Sequence, residues 1–195
     1  MRRFIALALV LGCSPATAFP AEVHVYESHD DSSITEGDTT LEADPDAAYG
    51  AAADYGRWAT MFPDIHDVKI TQRRGGEAWV TFIHADGNRD NVHFHNQPAA
   101  RMVWFEDTGG RAEVWAEIVF IPGDRPGTTR LHTRLFADVH GFASLFVSDG
   151  KIRGMRQRRV RDYLVDLRAY FARSSAPGAP SAPAATTEPA ATAEH

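Results

Sequence analysis

Cysteine is almost absent from this chain of 195 residues, which contains only Cys13. A single cysteine excludes an intramolecular disulfide and a cysteine-rich zinc site. Positive charge is also scarce, since the chain contains 20 Lys and Arg against 26 Asp and Glu, a net charge of −6. This balance argues against a nucleic-acid-binding protein, which usually has an excess of basic residues. Phosphate-loop, dinucleotide-binding and nucleophile-elbow motifs are missing as well, so we expect no cofactor.

The first 18 residues have the pattern of an export signal. Arg2 and Arg3 precede an apolar run, Phe4–Leu11, and small residues lead to Ala18. The run is shorter than the roughly 20 residues that span a bilayer. We therefore expect cleavage after Ala18 and a periplasmic or secreted protein. The alternative is a lipoprotein anchored at Cys13, because the residues before it resemble a lipobox.

The opposite end of the chain lacks aromatic and large aliphatic side chains. Residues 174–195 are mainly Ala, Pro, Ser and Thr, a composition that favours a disordered tail. We interpret residues 19–33 as an N-terminal extension. One domain of residues 34–173 remains, and a hydrophobic content of 44% is sufficient for a core of that size.

Glycine-rich turns separate alternating runs through the middle of this domain, which is typical of antiparallel hairpins. In one run, Val114, Ala116, Ile118 and Phe120 share a face and Glu117 lies on the other, so one side of the sheet should be buried. The predicted strands are Ile34–Ala43, Val68–Arg73, Glu77–His84, Asp90–Asn96, Arg101–Glu106, Arg111–Ile121 and Thr128–Val139, with Glu22–Ser28 as a further short candidate.

Helices are predicted on both sides of this strand-rich region. Asp44 is placed to cap a short helix that begins at Pro45, and Tyr55–Phe62 suggests a second. Apolar residues spaced three and four apart over Ile152–Phe171 indicate a long amphipathic helix. A sheet with one apolar face and a helix with an apolar stripe should pack together, which gives an α+β fold.

Two segments carry a family resemblance: Ala43–Tyr49 reads ADPDAAY, and Asp54–Asp64 reads DYGRWATMFPD. Together with the long last helix they resemble the START-like (SRPBCC) helix-grip superfamily, which includes polyketide cyclase and coenzyme Q-binding branches. The resemblance implies a curved antiparallel sheet of about six or seven strands around a long C-terminal helix, with two short helices after the first main strand. It also implies an apolar cavity between sheet and helix.

Large apolar residues on the predicted buried faces are the candidates for lining this cavity, although each of them also fits a solid core. The candidates are Trp58, Phe62, Val80, Phe82, Phe94, Trp104, Ile118, Phe120, Leu131, Leu135, Met155 and Leu164. An apolar ligand in such a space would be stabilised by about 25 cal/mol per Å² of surface removed from water.

Histidines raise the question of a metal site. His93 and His95 share one face of a strand, and His84 or His132 would be the further ligand. However, Phe94 lies on the opposite, apolar face, so the two imidazoles should face solvent. We therefore predict no metal site.

Acid–base chemistry would need a titratable group inside the cavity. The candidates are His84, Glu106, Tyr163 and Asp166, with Arg134 as an anion stabiliser. Each of them equally fits an ordinary polar position at a strand edge or on a helix surface.

The C-terminal helix is strongly basic, since residues 151–173 contain eight Lys or Arg and two Asp. Its cluster consists of Arg153, Arg156, Arg158, Arg159 and Arg161. These side chains suit anionic lipid headgroups, and they equally suit carboxylates on the neighbouring sheet and loops.

The sequence therefore predicts an exported binding module that holds a hydrophobic small molecule, such as a lipid, quinone or polyketide-like compound, with the basic helix as a contact for an anionic membrane. The alternative is a cyclase or dehydratase that uses the same cavity. A purely structural domain would have no such cavity.

Overall fold

The computed structural model describes residues 22–109, 112–138 and 148–174. Within these ranges the strands are β1 His24–Glu27, β2 Ile34–Leu41, β3 Ile65–Arg74, β4 Glu77–His84, β5 Arg89–Gln97, β6 Met102–Asp107, β7 Glu113–Pro122 and β8 Thr129–Asp138. The helices are α1 Pro45–Ala53, α2 Trp58–Met61 and α3 Asp149–Ser174, and single 3-10 turns form at Tyr55–Arg57 and Pro98–Ala100. The predicted signal segment and the tail from residue 175 onward lie outside the described residues.

All eight strands form one antiparallel sheet in the order β1-β2-β8-β7-β6-β5-β4-β3. The expectation of six or seven strands was therefore too low. The additional edge strand comes from the segment interpreted as an extension, because β1 pairs with β2 from His24 opposite Asp38 to Glu27 opposite Thr35. The Tyr26 hydroxyl also donates a 2.6 Å hydrogen bond to Asp38.

The start of α1 agrees with its sequence signals. The Asp44 carboxylate accepts a 2.9 Å hydrogen bond from the Asp46 amide, and Pro45 occupies the first turn. The second predicted helix, Tyr55–Phe62, is instead a 3-10 turn that runs directly into the four residues of α2. The two-helix arrangement is thus only roughly as expected.

α3 lies across the apolar face of the curved sheet. Its buried apolar residues are Ile152, Val160, Leu164, Leu167 and Phe171, the stripe expected from their spacing. The α+β class and the long C-terminal helix are therefore confirmed. None of the helices in residues 22–109, 112–138 and 148–174 has the length and hydrophobicity needed to cross a membrane.

α3 approaches β2 closely at Gly37. A Cβ atom at this position would lie 2.5 Å from Val160 Cγ1 and 2.8 Å from Leu164 Cδ1, which is closer than carbon atoms can pack. Near the start of the helix, the buried Arg156 side chain donates hydrogen bonds to the carbonyl oxygens of Ser32 (2.9 Å) and Ala137 (3.2 Å). The helix is thus held directly against β2 and β8.

The far edge of the sheet is different in character. β3 is exposed over most of its length and carries Lys69, Arg73 and Arg74. Its pairing with β4 is irregular at two places, between Ile65 and Asp67 and between Ile70 and Gln72. Such bulges bend a strand and interrupt its ladder of hydrogen bonds.

Candidate functional site

A cavity of about 590 Å³ lies between α3, α2 and the inner face of the sheet. Its wall is mostly apolar, and strands β4 to β8 all contribute to it. The apolar lining residues are Trp58, Phe62, Pro63, Ile65, Phe82, Val92, Phe105, Val114, Ala116, Ile118, Leu135, Ala137, Met155, Val160 and Val165.

The space stays open because α3 is supported on its two sides but not between them. On one side it contacts β2 and β8, and on the other the ring of Tyr163 stacks on Phe62 of the α2 region, with centroids 4.9 Å apart. α2 is itself anchored by Trp58, whose indole Nε1 donates a 2.9 Å hydrogen bond to the Ala52 carbonyl. The sheet beneath this span presents small side chains, including Ala116 and Ala137.

Half of the twelve candidate cavity residues line this space: Trp58, Phe62, Phe82, Ile118, Leu135 and Met155. Five others are buried outside it in the solid core: Val80, Phe94, Phe120, Leu131 and Leu164. Trp104 lies on the outer face of the sheet, with its ring 4.7 Å from that of His95, because it alternates with the inward-facing Val103 and Phe105.

Position along the strand separates cavity from core. Three opposed pairs of β7 and β8 line the cavity, namely Val114 with Ala137, Ala116 with Leu135, and Ile118 with Thr133. The next pair on the same face, Phe120 with Leu131, is fully buried, and the Phe120 ring contacts Tyr49 of α1 at 6.1 Å. The alternation places Val114, Ala116 and Thr133 on the same inner face, although they were not among the predicted cavity residues, which on these two strands were the larger Ile118, Phe120, Leu131 and Leu135.

The one unpartnered polar group deep in the described wall is the Tyr163 hydroxyl. Its oxygen is buried and has no hydrogen-bond partner among residues 22–109, 112–138 and 148–174. Burial, with a smaller contribution from Tyr55, raises the pKa of Tyr163 far above its ordinary value. The group therefore stays protonated and keeps an unused hydrogen-bond donor in the wall of the cavity.

Charged side chains surround the more exposed end of the cavity. His84 Nε2 lies 2.8 Å from Asp90 Oδ2, and its Nδ1 lies 3.6 Å from Asp64 Oδ2. Arg159 Nη1 donates a 2.9 Å hydrogen bond to the same Asp64 carboxylate. The side chains of Asp64, Asp90 and Arg159 are each at least half exposed. These groups form an ion-paired rim above an apolar interior.

Asp166 is the acid–base candidate whose titration is perturbed at this rim. Desolvation raises the pKa of its carboxyl, and the charges of Asp64 and Asp162 raise it further against an opposing effect of Arg173. With Asp90 and Asp107, five aspartates border the cavity. The rim is therefore acidic on balance.

The remaining acid–base candidates lie on the outer face of the sheet. The Glu106 carboxylate is 3.3 Å from His93 Nδ1. Arg134 Nε lies 3.5 Å from Glu36 Oε1 on the adjacent strand. Neither side chain borders the cavity. Of the four candidate acids and bases, His84, Tyr163 and Asp166 are the ones that reach it.

Three of the five clustered arginines on α3 are engaged within the molecule. Arg153 pairs with Glu27, Arg159 pairs with Asp64, and Arg156 is buried against β2 and β8. Arg158 and Arg161 are exposed. The intramolecular interpretation accounts for the first three, and membrane contact through the other two stays a prediction.

The histidines do not converge on one site. His84 borders the cavity on the inner face, whereas His93 and His95 lie on the outer face. His132 of β8 pairs with Asp38 of β2 at 3.1 Å, and two strands, β7 and β6, separate β8 from the strand that carries His93 and His95. The group that meets His93 and His95 is Glu77, a residue that the sequence analysis did not consider.

Known proteins share this architecture without close sequence similarity. No protein-family profile matches the chain, and no curated protein matches it. A solved structure from Thermus thermophilus superimposes with a TM-score of 0.62 at 15% identity, covering 73% of this chain and 99% of the other. A START superfamily protein from Mycobacterium smegmatis gives a TM-score of 0.59 at 12% identity, covering 71% and 97%.

A third structure points the same way. The Zhui aromatase/cyclase from Streptomyces sp. R1128 gives a TM-score of 0.61 at 18% identity, covering 74% of this chain and 96% of that protein. The chain therefore has the START-like helix-grip fold, which confirms the resemblance drawn from its motifs. At these identities the likeness concerns the fold and leaves the function to be argued from the cavity.

Proposed function

We propose that this protein binds a hydrophobic small molecule in the cavity beneath α3 and shields it from water. The observation that carries the proposal is the cavity itself: about 590 Å³ of mostly apolar space. Small-molecule sites typically occupy roughly 300–1,000 Å³ and combine apolar walls with a few polar groups. Burying an apolar ligand there removes both its surface and that of the wall from water.

The polar groups narrow the class of ligand. Tyr163 offers a buried hydrogen-bond donor without a partner in the described chain, and satisfying such a group on binding is favourable. The acidic rim, which contains Asp90, Asp107 and Asp166, disfavours a free carboxylate. The ligand is thus an uncharged lipid, quinone or polyketide-like compound that carries a carbonyl or hydroxyl oxygen. The leader-like segment at residues 1–18 supports a role for this carrier outside the cytoplasm.

The test is to purify the protein from its native host, extract bound compounds and identify them by mass spectrometry. The purified protein is then titrated with an uncharged quinone and with a fatty acid of similar size. We expect a bound neutral compound and tighter binding of the quinone. Protein that is consistently empty and binds no member of a lipid and quinone panel contradicts the proposal, and preference for the fatty acid contradicts the ligand class.

A variant links the binding to this cavity. Ala116→Leu adds bulk to the sheet side of the cavity and should weaken binding by roughly tenfold or more. Ala100→Leu makes the same change at an exposed position in a 3-10 turn and should leave binding unaltered. Tyr163→Phe should lower the affinity only for ligands that carry an oxygen acceptor. Equal affinities for all three variants and the unaltered protein would place the ligand elsewhere.

A cyclase or dehydratase is the second candidate function. It is favoured by the titratable groups His84 and Asp166, which border the same cavity, and by the shared fold of the Zhui aromatase/cyclase. Incubation with a poly-β-ketone substrate should then yield a cyclised product, and Asp166→Asn should reduce the rate. Unchanged substrate argues for binding alone.

A further inference from the structure

Glu77, His93 and His95 form a compact cluster on the outer face of the sheet, away from the cavity. One side-chain ligand atom from each lies within 4.8 Å of the others. Glu77 Oε2 is 3.8 Å from His93 Nε2, and Glu77 Oε1 is 3.6 Å from His95 Nδ1. The antiparallel register creates this meeting, because it sets Glu77 of β4 directly opposite His95 of β5.

The surroundings of His93 prepare one of its nitrogens as a ligand. Its Nδ1 lies 3.3 Å from the Glu106 carboxylate, and a proton on Nδ1 leaves the lone pair of Nε2 free. Nε2 is buried and has no hydrogen-bond partner in the described part of the chain. The Trp79 indole stacks on the ring at 4.1 Å and 12° and fixes its plane. A carboxylate behind a histidine is the usual support for a metal-bound imidazole.

We propose that Glu77, His93 and His95 bind one divalent transition-metal ion, and that Zn²⁺ is the ion these ligands suit best. Two imidazole nitrogens and a carboxylate oxygen suit zinc better than magnesium or calcium, which prefer all-oxygen ligands. Zinc–ligand bonds of about 2.0–2.2 Å in a tetrahedron place the ligand atoms roughly 3.3 Å apart. In the structure one ligand atom from each residue lies within 4.8 Å of the others, and the two oxygens of Glu77 lie 3.8 Å from His93 and 3.6 Å from His95. Side-chain rotation must therefore draw the three atoms together around the ion.

The fourth position of such a tetrahedron faces the solvent. The side chains of Glu77 and His95 are 42% and 31% exposed, whereas that of His93 is 14% exposed. Water completes the coordination there. Because the ligands come from two neighbouring strands, bound metal also joins β4 to β5 and stabilises the folded state.

The experiment uses full-length protein without a histidine tag, after treatment with a chelator. Zn²⁺ is titrated by calorimetry, and Co²⁺ is added separately to record its visible absorption. We expect one ion per chain, a tetrahedral Co²⁺ spectrum that Zn²⁺ displaces, and a Tm that rises with Zn²⁺ concentration. Absence of saturable Zn²⁺ binding overturns the proposal.

Variants identify the ligands. His93→Gln and Glu77→Gln should abolish the Co²⁺ spectrum, and His95→Gln provides the same test if His93→Gln fails to fold by circular dichroism. Glu106→Gln should keep the stoichiometry and lower affinity by roughly 10- to 100-fold. His132→Gln removes a histidine paired elsewhere with Asp38 and should bind as the unaltered chain does. Binding that survives the loss of His93 or His95, or depends on His132, contradicts the assignment.

Discussion

The two sides of α3 meet the rest of the molecule in opposite ways. Toward β2 the helix is so close that Gly37 has no room for a side chain, and Arg156 is bonded to backbone carbonyls there. Toward the middle of the sheet the same helix spans a cavity of about 590 Å³. A hollow of this size can persist because close packing on one side and the Phe62–Tyr163 contact on the other fix the position of the helix.

The largest expected effect comes from breaking the close side at Gly37. In Gly37→Val the new side chain would overlap Val160 and Leu164, both of which are fully buried or nearly so. Overpacking of this kind should reduce the free energy of unfolding by about 3 kcal/mol. Urea denaturation measures the change, and the cavity should lose ligand affinity as the helix shifts.

Gly154→Ala is the matched control for that substitution. This glycine lies within α3, and an added Cβ meets no atom within 4 Å. Replacing a helical glycine by alanine should raise the stability by about 0.5–1 kcal/mol. If both glycine variants changed stability alike, close contact at Gly37 would not explain the arrangement.

A second, smaller effect is expected from the polar contacts of the close side. Arg156→Met keeps much of the side-chain length but leaves the carbonyls of Ser32 and Ala137 without this donor. The free energy of unfolding should fall by about 2 kcal/mol, because buried polar groups without a hydrogen-bond partner usually cost that much. Arg158→Met changes an exposed arginine on the same helix and should stay within about 0.5 kcal/mol. Thermal unfolding of the two variants distinguishes them, and equal losses would contradict an anchoring role for Arg156.

The smallest expected effect concerns the side of α3 that faces the cavity, where Asp166 makes stability depend on pH. Because the pKa of Asp166 is raised in the folded state, ionisation of its carboxyl destabilises folding. This penalty is absent below the ordinary aspartate pKa of about 3.9 and develops as the pH rises through the raised value. Asp166→Asn should therefore be more stable than the unaltered protein near neutral pH, and the difference should vanish in acid.

Urea midpoints measured across that pH range test the Asp166 prediction. Asp124→Asn, at an exposed loop position after β7, controls for the change in net charge. A stability difference that grows toward acid pH would have the wrong sign for a raised pKa and would refute the prediction.

The sequence best predicted where helices and strands lie and which of their faces are buried. The Asp44–Pro45 helix start, the alternation along β7 and the stripe on α3 all predicted structure that is present. Alternation tells which face a residue occupies but not where a crossing helix covers that face. For that reason Phe120, with the right orientation, lies in the core under α1, whereas Ala116 borders the cavity.

Two other features depended on contacts between distant segments. Gly37 resembles any strand glycine until α3 is placed over it, since Val160 and Leu164 are more than 120 residues away in sequence. The meeting of Glu77 with His95 follows from the β4–β5 register. The predicted strands Glu77–His84 and Asp90–Asn96 locate the turn between them, but the register is centred on Asp86, one residue before the midpoint of the predicted loop. The pairing of Glu77 with His95 therefore could not be obtained by counting from those strand ends.

The irregular edge strand β3 affects how readily two molecules of this protein can associate through their sheets. Its interrupted ladder and the cationic side chains of Lys69, Arg73 and Arg74 prevent a strand of another molecule from continuing the sheet. At the opposite edge β1 has only four residues, which is too short to template such growth. Both edges of the eight-stranded sheet are thus poor templates for edge-to-edge association.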